Sequence, residues 1–202
     1  MSYSRHGMGE FLFCLDTETT GSSFKSYEET FQKYQAISFG AVIARCDTLE
    51  PVKELYFELK YDPKYTWSEE AEKIHGLTRE HLAEHGLTPE EGAVELANFL
   101  MDVFGVSKVP FLGHNPHFDI HAMKQLLEPF GIMPELYHVV MDTSAGGFLA
   151  INKTKSNDIF NIFLGGRQDT HNALDDAKMT LSTARAMRQV FAIGLETLGV
   201  KV

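Results

Sequence analysis

Phe11-Leu-Phe-Cys-Leu-Asp-Thr-Glu-Thr-Thr-Gly21 decides how the chain is read: an apolar, aromatic run that ends in two carboxylates and a glycine turn. Phe11 to Asp16 reads as a buried strand, because the run is short, continuous and followed by turn-forming residues. Side chains two apart leave a strand on the same face, so Asp16 and Glu18 point the same way. Two carboxylates held side by side repel unless a cation lies between them, and oxygen-only ligands suit Mg2+ or Mn2+. An acidic strand end in solvent would look the same by itself, so the pair gains meaning only from companions elsewhere in the chain.

Working outward, Gln35 to Cys46 and Glu54 to Leu59 read as two further strands. A short helix is expected over Ser68 to His75 and a shorter one after Thr78. Thr88-Pro-Glu-Glu91 is a helix start, with Thr88 capping, Pro89 at the first helical position and Glu91 closing a capping box. Val94, Ala97, Met101 and Phe104 recur at helical spacing and are expected to form its buried face. Val109 to Gly113 reads as a strand, Pro116 to about Phe130 as a helix, His138 to Asp142 as a strand and Asn172 to about Phe191 as the last helix. Strands first, then helices and strands in alternation, predict an α/β layer fold with a mixed sheet. No repeat, low-complexity tract or Pro/Ser linker divides residues 1–202, which are expected to form one domain with tails at about 1–9 and 195–202.

The composition excludes whole classes. A chain of 202 residues with 44% hydrophobic and 23% charged residues can bury a core, which rules out a disordered or fibrous protein. The net charge of −10 argues against a general nucleic-acid coating protein, which would be basic, but not against an enzyme that meets nucleic acid through metal ions. Cys14 and Cys46 cannot form a disulfide framework and point to reduced thiols. With no secretory h-region after Met1 and no span long enough for a bilayer, a cytoplasmic location without membrane association is expected.

Two further segments carry chemistry. In Gly113-His-Asn-Pro-His-Phe-Asp119, Asn115 suits a helix N-cap, Pro116 the first helical position and Asp119 the first turn. Asp119 shares its face with Met123, Leu126 and Phe130, the core-facing side, where an acid is costly unless paired or bound to metal. His117 and His121 lie roughly 160° from it at about 100° per residue, and so face solvent. In His171-Asn-Ala-Leu-Asp-Asp-Ala177, a helix that starts at about Asn172 leaves His171 projecting from the loop. Asp176 then shares a face with Ala173 and Thr180, which makes it a plausible ligand, with His171 a plausible base near pH 7.

The order Asp-x-Glu, His-Asn-x-x-Phe-Asp and His-x-Ala-x-x-Asp resembles the DEDDh branch of the DnaQ-like 3′→5′ exonucleases, which contains the proofreading epsilon subunit, RNase T and oligoribonuclease. Ala71-Glu-Lys-Ile-His-Gly-Leu-Thr78 also looks like the segment this family carries between its first two motifs. The resemblance runs from about Phe11 to Phe191. It implies a ribonuclease H-like fold, a mixed central sheet of about five strands with helices on both sides. It further implies two divalent ions, Mg2+ or Mn2+, held by Asp16, Glu18, Asp119 and Asp176, with His171 taking a proton from the attacking water. The implied reaction hydrolyses the last phosphodiester of single-stranded DNA or RNA 3′ ends and releases 5′-mononucleotides.

Substrate contacts implied by the resemblance are Thr17, Thr19, Thr20 and Gly21 after the first aspartate, His75, and Asn115 and Phe118 of the second motif. Ser22 stands where many members carry a large apolar wedge, and Phe24 is expected to replace it. Phe24, Tyr27, Phe31 and Tyr34 could stack on bases, but their spacing is helical and a core-facing stripe explains it more simply. Family precedent offers a homodimer, or a polymerase or replication partner in proofreading or DNA repair. The chain's end soon after its last helix favours a free-standing nuclease. Two other readings compete: a binding module of the same fold that has lost catalysis, and a zinc peptidase built on His81-Leu-Ala-Glu-His85. Gly86 ends that helix after barely two turns and no third ligand is apparent, whereas all five exonuclease residues are present.

Overall fold

The computed structural model describes residues 9–23, 25–166 and 171–200. Five strands form one sheet in the order β3-β2-β1-β4-β5: β1 (Phe11–Thr19), β2 (Ala36–Arg45), β3 (Pro51–Glu58), β4 (Val109–Gly113) and β5 (Leu136–Asp142). The first three pair antiparallel, while β4 and β5 run parallel to β1, so the sheet is mixed as expected.

Because side chains alternate along a strand, β1 serves two cores at once. Phe13 and Leu15 pack with Phe39, Phe57 and Phe111 against α4 (Pro89–Phe104) and α5 (Pro116–Leu127). Leu12 and Cys14 pack with Val42 and Leu112 against Ala177 and Leu181 of α8 (Ala173–Thr197). Asp16 and Glu18 continue the second row, so β1 delivers both carboxylates to the face that α8 covers.

Shorter helices complete the chain: α1 (Tyr27–Lys33), α2 (Glu69–His75), α3 (Arg79–His85), α6 (Thr143–Ile151) and α7 (Ser156–Leu164), with a 3₁₀ turn at Glu128–Phe130 after α5. The capping box forms as read: the Glu91 N–H donates to the Thr88 hydroxyl, and the Thr88 N–H donates to the Glu91 carboxylate.

The buried face of α4 is not the expected one. Val94 and Met101 are 49% and 59% exposed, and Ala93, Leu96, Phe99 and Leu100 face the core instead. The two apolar stripes differ by about one residue, a rotation of about 100°, and only the sheet's position chooses between them. Likewise α8 continues to Thr197, so the segment expected as a tail from 195 is helical at its start. Among the described residues, no helix is long and apolar enough to cross a membrane.

Candidate active site

The site lies where β1 ends beneath the start of α8. Asn172 caps α8, its side chain accepting the Leu174 N–H at 3.0 Å and the Asp175 N–H at 3.3 Å. That cap leaves His171 just outside the helix and puts Asp176 in its first turn, 5% exposed against the sheet, while Asp175 is exposed. Each of Glu18, His171 and Asp176 offers one ligand atom, and these atoms all lie within 4.8 Å of one another. No other group of three His, Cys, Asp or Glu residues among those described comes as close.

Gly40 makes this approach attainable. It stands in β2 opposite Asp16, and a Cβ there would fall 2.0 Å from the Ala173 carbonyl carbon and 2.0 Å from the Leu174 nitrogen. The backbone of α8 therefore rests directly on the sheet at Gly40. Gly40 is absent from the expected site residues, although a glycine inside a strand is the signal for close backbone approach.

Asp119 arrives from α5, on the other side of the sheet. It is 3% exposed, as its core-facing position predicted, and accepts a hydrogen bond from the Thr17 hydroxyl at 2.8 Å. Burial pushes the Asp119 carboxyl up to about 8, with the Thr17 hydroxyl opposing the rise. Burial also raises the Cys14 thiol, and the charges of Asp16 and Asp119 raise it further. Both aspartates therefore act on one buried atom, Asp16 from β1 and Asp119 from α5. An oxygen-rich donor set with one imidazole, and a buried carboxyl kept neutral for want of a counter-charge, fits a hard divalent cation.

Among the expected substrate contacts, Thr20 is fully buried, its hydroxyl donating to the Thr66 carbonyl at 2.7 Å and accepting the Gln35 N–H at 3.0 Å. The Thr19 hydroxyl donates to the Gly21 carbonyl at 2.8 Å. These hydroxyls shape the turn, and with Thr17 bound to Asp119 the segment presents mainly backbone. Gly21 is needed there, because at φ +155° a Cβ would lie 2.4 Å from the Tyr34 ring.

His75 accepts the Leu77 N–H at Nδ1, 3.0 Å away, which puts the proton of its neutral form on Nε2. That Nε2 is buried, and burial holds the imidazole below the usual histidine range, while Glu72 and the Thr19 backbone oppose and His171 adds to the effect. His75 thus stands near His171 as an uncharged donor.

Asn115 occupies the N-cap position of α5 with φ 57°, but its side chain does not cap the helix as expected. Its Oδ1 accepts the Tyr27 hydroxyl at 2.7 Å instead. Phe118 is half-buried, 5.0 Å from the Phe31 ring and 6.2 Å from Tyr27. Phe31 is 8% exposed, so at that residue the aromatic stripe is core-facing. Phe24 lies outside the described residues. In the HxxEH segment, the His81 and His85 rings lie 4.8 Å apart, and His81 Nε2 is 2.6 Å from Glu58.

Comparison with known proteins bears on this arrangement. A family model described as exonuclease, RNase_T, matches residues 13–183. No curated protein matches the sequence. Among solved structures, exonuclease I from Methylocaldum szegediense superposes with a TM-score of 0.65 at 17% identity, over 90% of this chain and 41% of that one. The nuclease domain of 3′hExo, a DEDDh family member bound to rAMP, gives 0.67 at 16% identity, over 90% of this chain and 92% of that one. The zinc-bound E. coli ExoI–ssDNA complex gives 0.67 at 14% identity, over 90% and 41%. The chain thus spans about two-fifths of the exonuclease I structures and nearly all of the 3′hExo nuclease domain. The family match covers the strand end, the α5 start and the α8 start that together build the site, and the chain belongs to the RNase_T exonuclease family.

Proposed function

We propose that this domain is a metal-dependent 3′→5′ exonuclease that removes 5′-mononucleotides from single-stranded DNA or RNA. The observation that carries the reading is the convergence of Glu18, His171 and Asp176 within 4.8 Å, beside Asp16 on the same strand face. Asp16, Glu18 and Asp176 would hold one divalent cation, Mg2+ or Mn2+, and Asp16 with Asp119 a second. Such cations lower the pKa of water and neutralise charge on the phosphoryl oxygens. His171 takes the proton of the attacking water, the new P–O bond forms, and the bond to the 3′ oxygen of the preceding nucleotide breaks. His75 donates from Nε2 to the terminal nucleotide, while the backbone of residues 17–21 lies against it. Neither a second copy nor a polymerase enters this reading.

The test uses 5′-labelled single strands of DNA and RNA of one sequence, with Mg2+ or Mn2+ and a chelator control. A ladder shortening from the 3′ end, lost in chelator, is expected, and the faster strand names the substrate. Asp16→Ala and His171→Ala should each lower kcat by about 1,000-fold or more with the circular dichroism spectrum retained. Asp175→Asn should leave the rate unchanged; a large loss there would mean that the ligand is the wrong one of two adjacent aspartates. A folded, metal-supplemented protein that shortens neither strand would favour the binding module instead.

His75→Ala should raise KM about tenfold, the worth of one lost hydrogen bond, with a smaller change in kcat. A fall in kcat with KM unchanged would instead assign His75 to the chemical step.

A further inference from the structure

A second polar feature lies beside the carboxylates. A cleft of about 540 Å³ is lined by His114 and Asn115 after β4, Ser144 after β5, and residues 154–157 between α6 and α7. Because β4 and β5 run parallel to β1, their ends emerge at the sheet edge where Glu18 stands. Neighbouring strands lie about 4.8 Å apart, so the ends of β4 and β5 lie about one and two strand spacings from the end of β1. The cleft lies beyond β4, on the side of β1 away from β2, whereas His75 stands near His171 at the end of β1.

The lining is unusual for a chain of net charge −10, because none of its residues is acidic and one is a lysine. Two carboxylates lie near it, one held by the lining residues Asn115 and Ser144 and the other paired with a lysine. Asp142 accepts the Asn115 N–H at 3.1 Å and the Ser144 N–H and hydroxyl at 2.8 and 2.7 Å. Asp158 pairs with Lys153 at 3.9 Å. Lys155 is exposed and pairs with no carboxylate among the described residues. His114 is fixed by Thr143, its Nδ1 lying 3.0 Å from that hydroxyl. The cleft therefore combines one cation with hydroxyl and amide groups at the ends of β4 and β5.

We propose that this cleft binds the phosphodiester one step upstream of the scissile bond, with Lys155 supplying the charge and Ser156 and Asn157 the neutral hydrogen bonds. The inference rests on the exonuclease reading, and it assigns the 5′ side of the strand to the β4–β5 end of the sheet. A strand held there is positioned by its backbone, independently of base identity.

The experiment compares a dinucleotide with a 5′-hydroxyl, which has only the scissile phosphodiester, with the matching trinucleotide, which adds one upstream. The wild-type enzyme should favour the trinucleotide in kcat/KM, and Lys155→Ala should lower that preference about tenfold. Lys53→Ala, which removes a β3 lysine paired with Asp102 at the far edge of the sheet, should leave the preference intact. In chelator, fluorescence anisotropy with a labelled ten-nucleotide strand should show the log–log salt slope shallower by about 0.7 in Lys155→Ala, the loss of one phosphate contact on a single strand. An unchanged trinucleotide preference with an unchanged salt slope would overturn the assignment. So would equal losses on both substrates. If the wild-type protein shortens no strand, the exonuclease reading fails by itself, and the salt slope alone still decides whether the cleft holds a phosphate.

Discussion

Replacing Asp119 with asparagine should abolish hydrolysis and, in the same protein, raise the melting temperature measured in chelator. Asp119 is 3% exposed, and burial pushes its carboxyl up to about 8. An unfolded aspartate titrates near 3.9, so between about pH 4 and pH 8 the folded protein keeps a proton that the unfolded chain releases. Stability from the neutral carboxyl is complete below the unfolded value and is lost as pH rises towards the folded one. Asparagine has no proton to lose, and its carbonyl can still accept the Thr17 hydroxyl. Relief of even about 2 kcal/mol would raise Tm by about 4–8 °C in a domain of this size. The gain should be larger at pH 8 than at pH 5, and Mg2+ should stabilise the wild type more than the variant. Loss of the carboxylate should lower kcat by about 1,000-fold. Calorimetry in chelator at the two pH values checks the first half; an unchanged Tm at pH 8 would mean that the carboxylate is ionised and compensated without a cation.

The second large effect concerns Gly40, which contributes no functional group. Gly40→Ala would set a methyl 2.0 Å from the backbone of Ala173 and Leu174. Neither atom belongs to a flexible side chain, so the start of α8 must move away from the sheet. Asp176 and His171 would move with it. Displacement of catalytic groups by about 1 Å costs on the order of 100-fold in rate, and overpacking costs about 1–3 kcal/mol in stability. Single-turnover kinetics with saturating metal, beside a melting curve, should show both losses. Gly194→Ala is the control: no heavy atom lies near its Cβ position, so activity should be retained. Full activity in Gly40→Ala would show that α8 is not seated through this contact.

The three motifs were legible because each carries its geometry within a few residues. Alternation along a strand puts Asp16 and Glu18 on one face, and the Asn172 cap frees His171 while turning Asp176 inwards. The Thr88 capping box is local in the same sense. Reading failed where two local patterns were equally good, as on α4, where Val94 and Met101 formed an apolar stripe that solvent claimed. Between Thr143 and Gly166, where the cleft beside Lys155 is built, the local signals are fewer: Asp142 caps α6 and Gly165 ends α7, but neither helix has a capping box.

By itself, then, the amino-acid sequence determined the mixed α/β architecture and singled out the carboxylates and the imidazole as candidates, because periodicity, caps and spacing act over one or two turns. Only the tertiary structure decided how those groups meet. Asp119 reaches Thr17 across 102 positions from one side of the sheet, while Asp176 reaches Glu18 from the other, and Gly40 sets how closely α8 may approach. Such contacts depend on which faces of the sheet the helices cover, and contacts between distant segments leave no period in the chain that makes them.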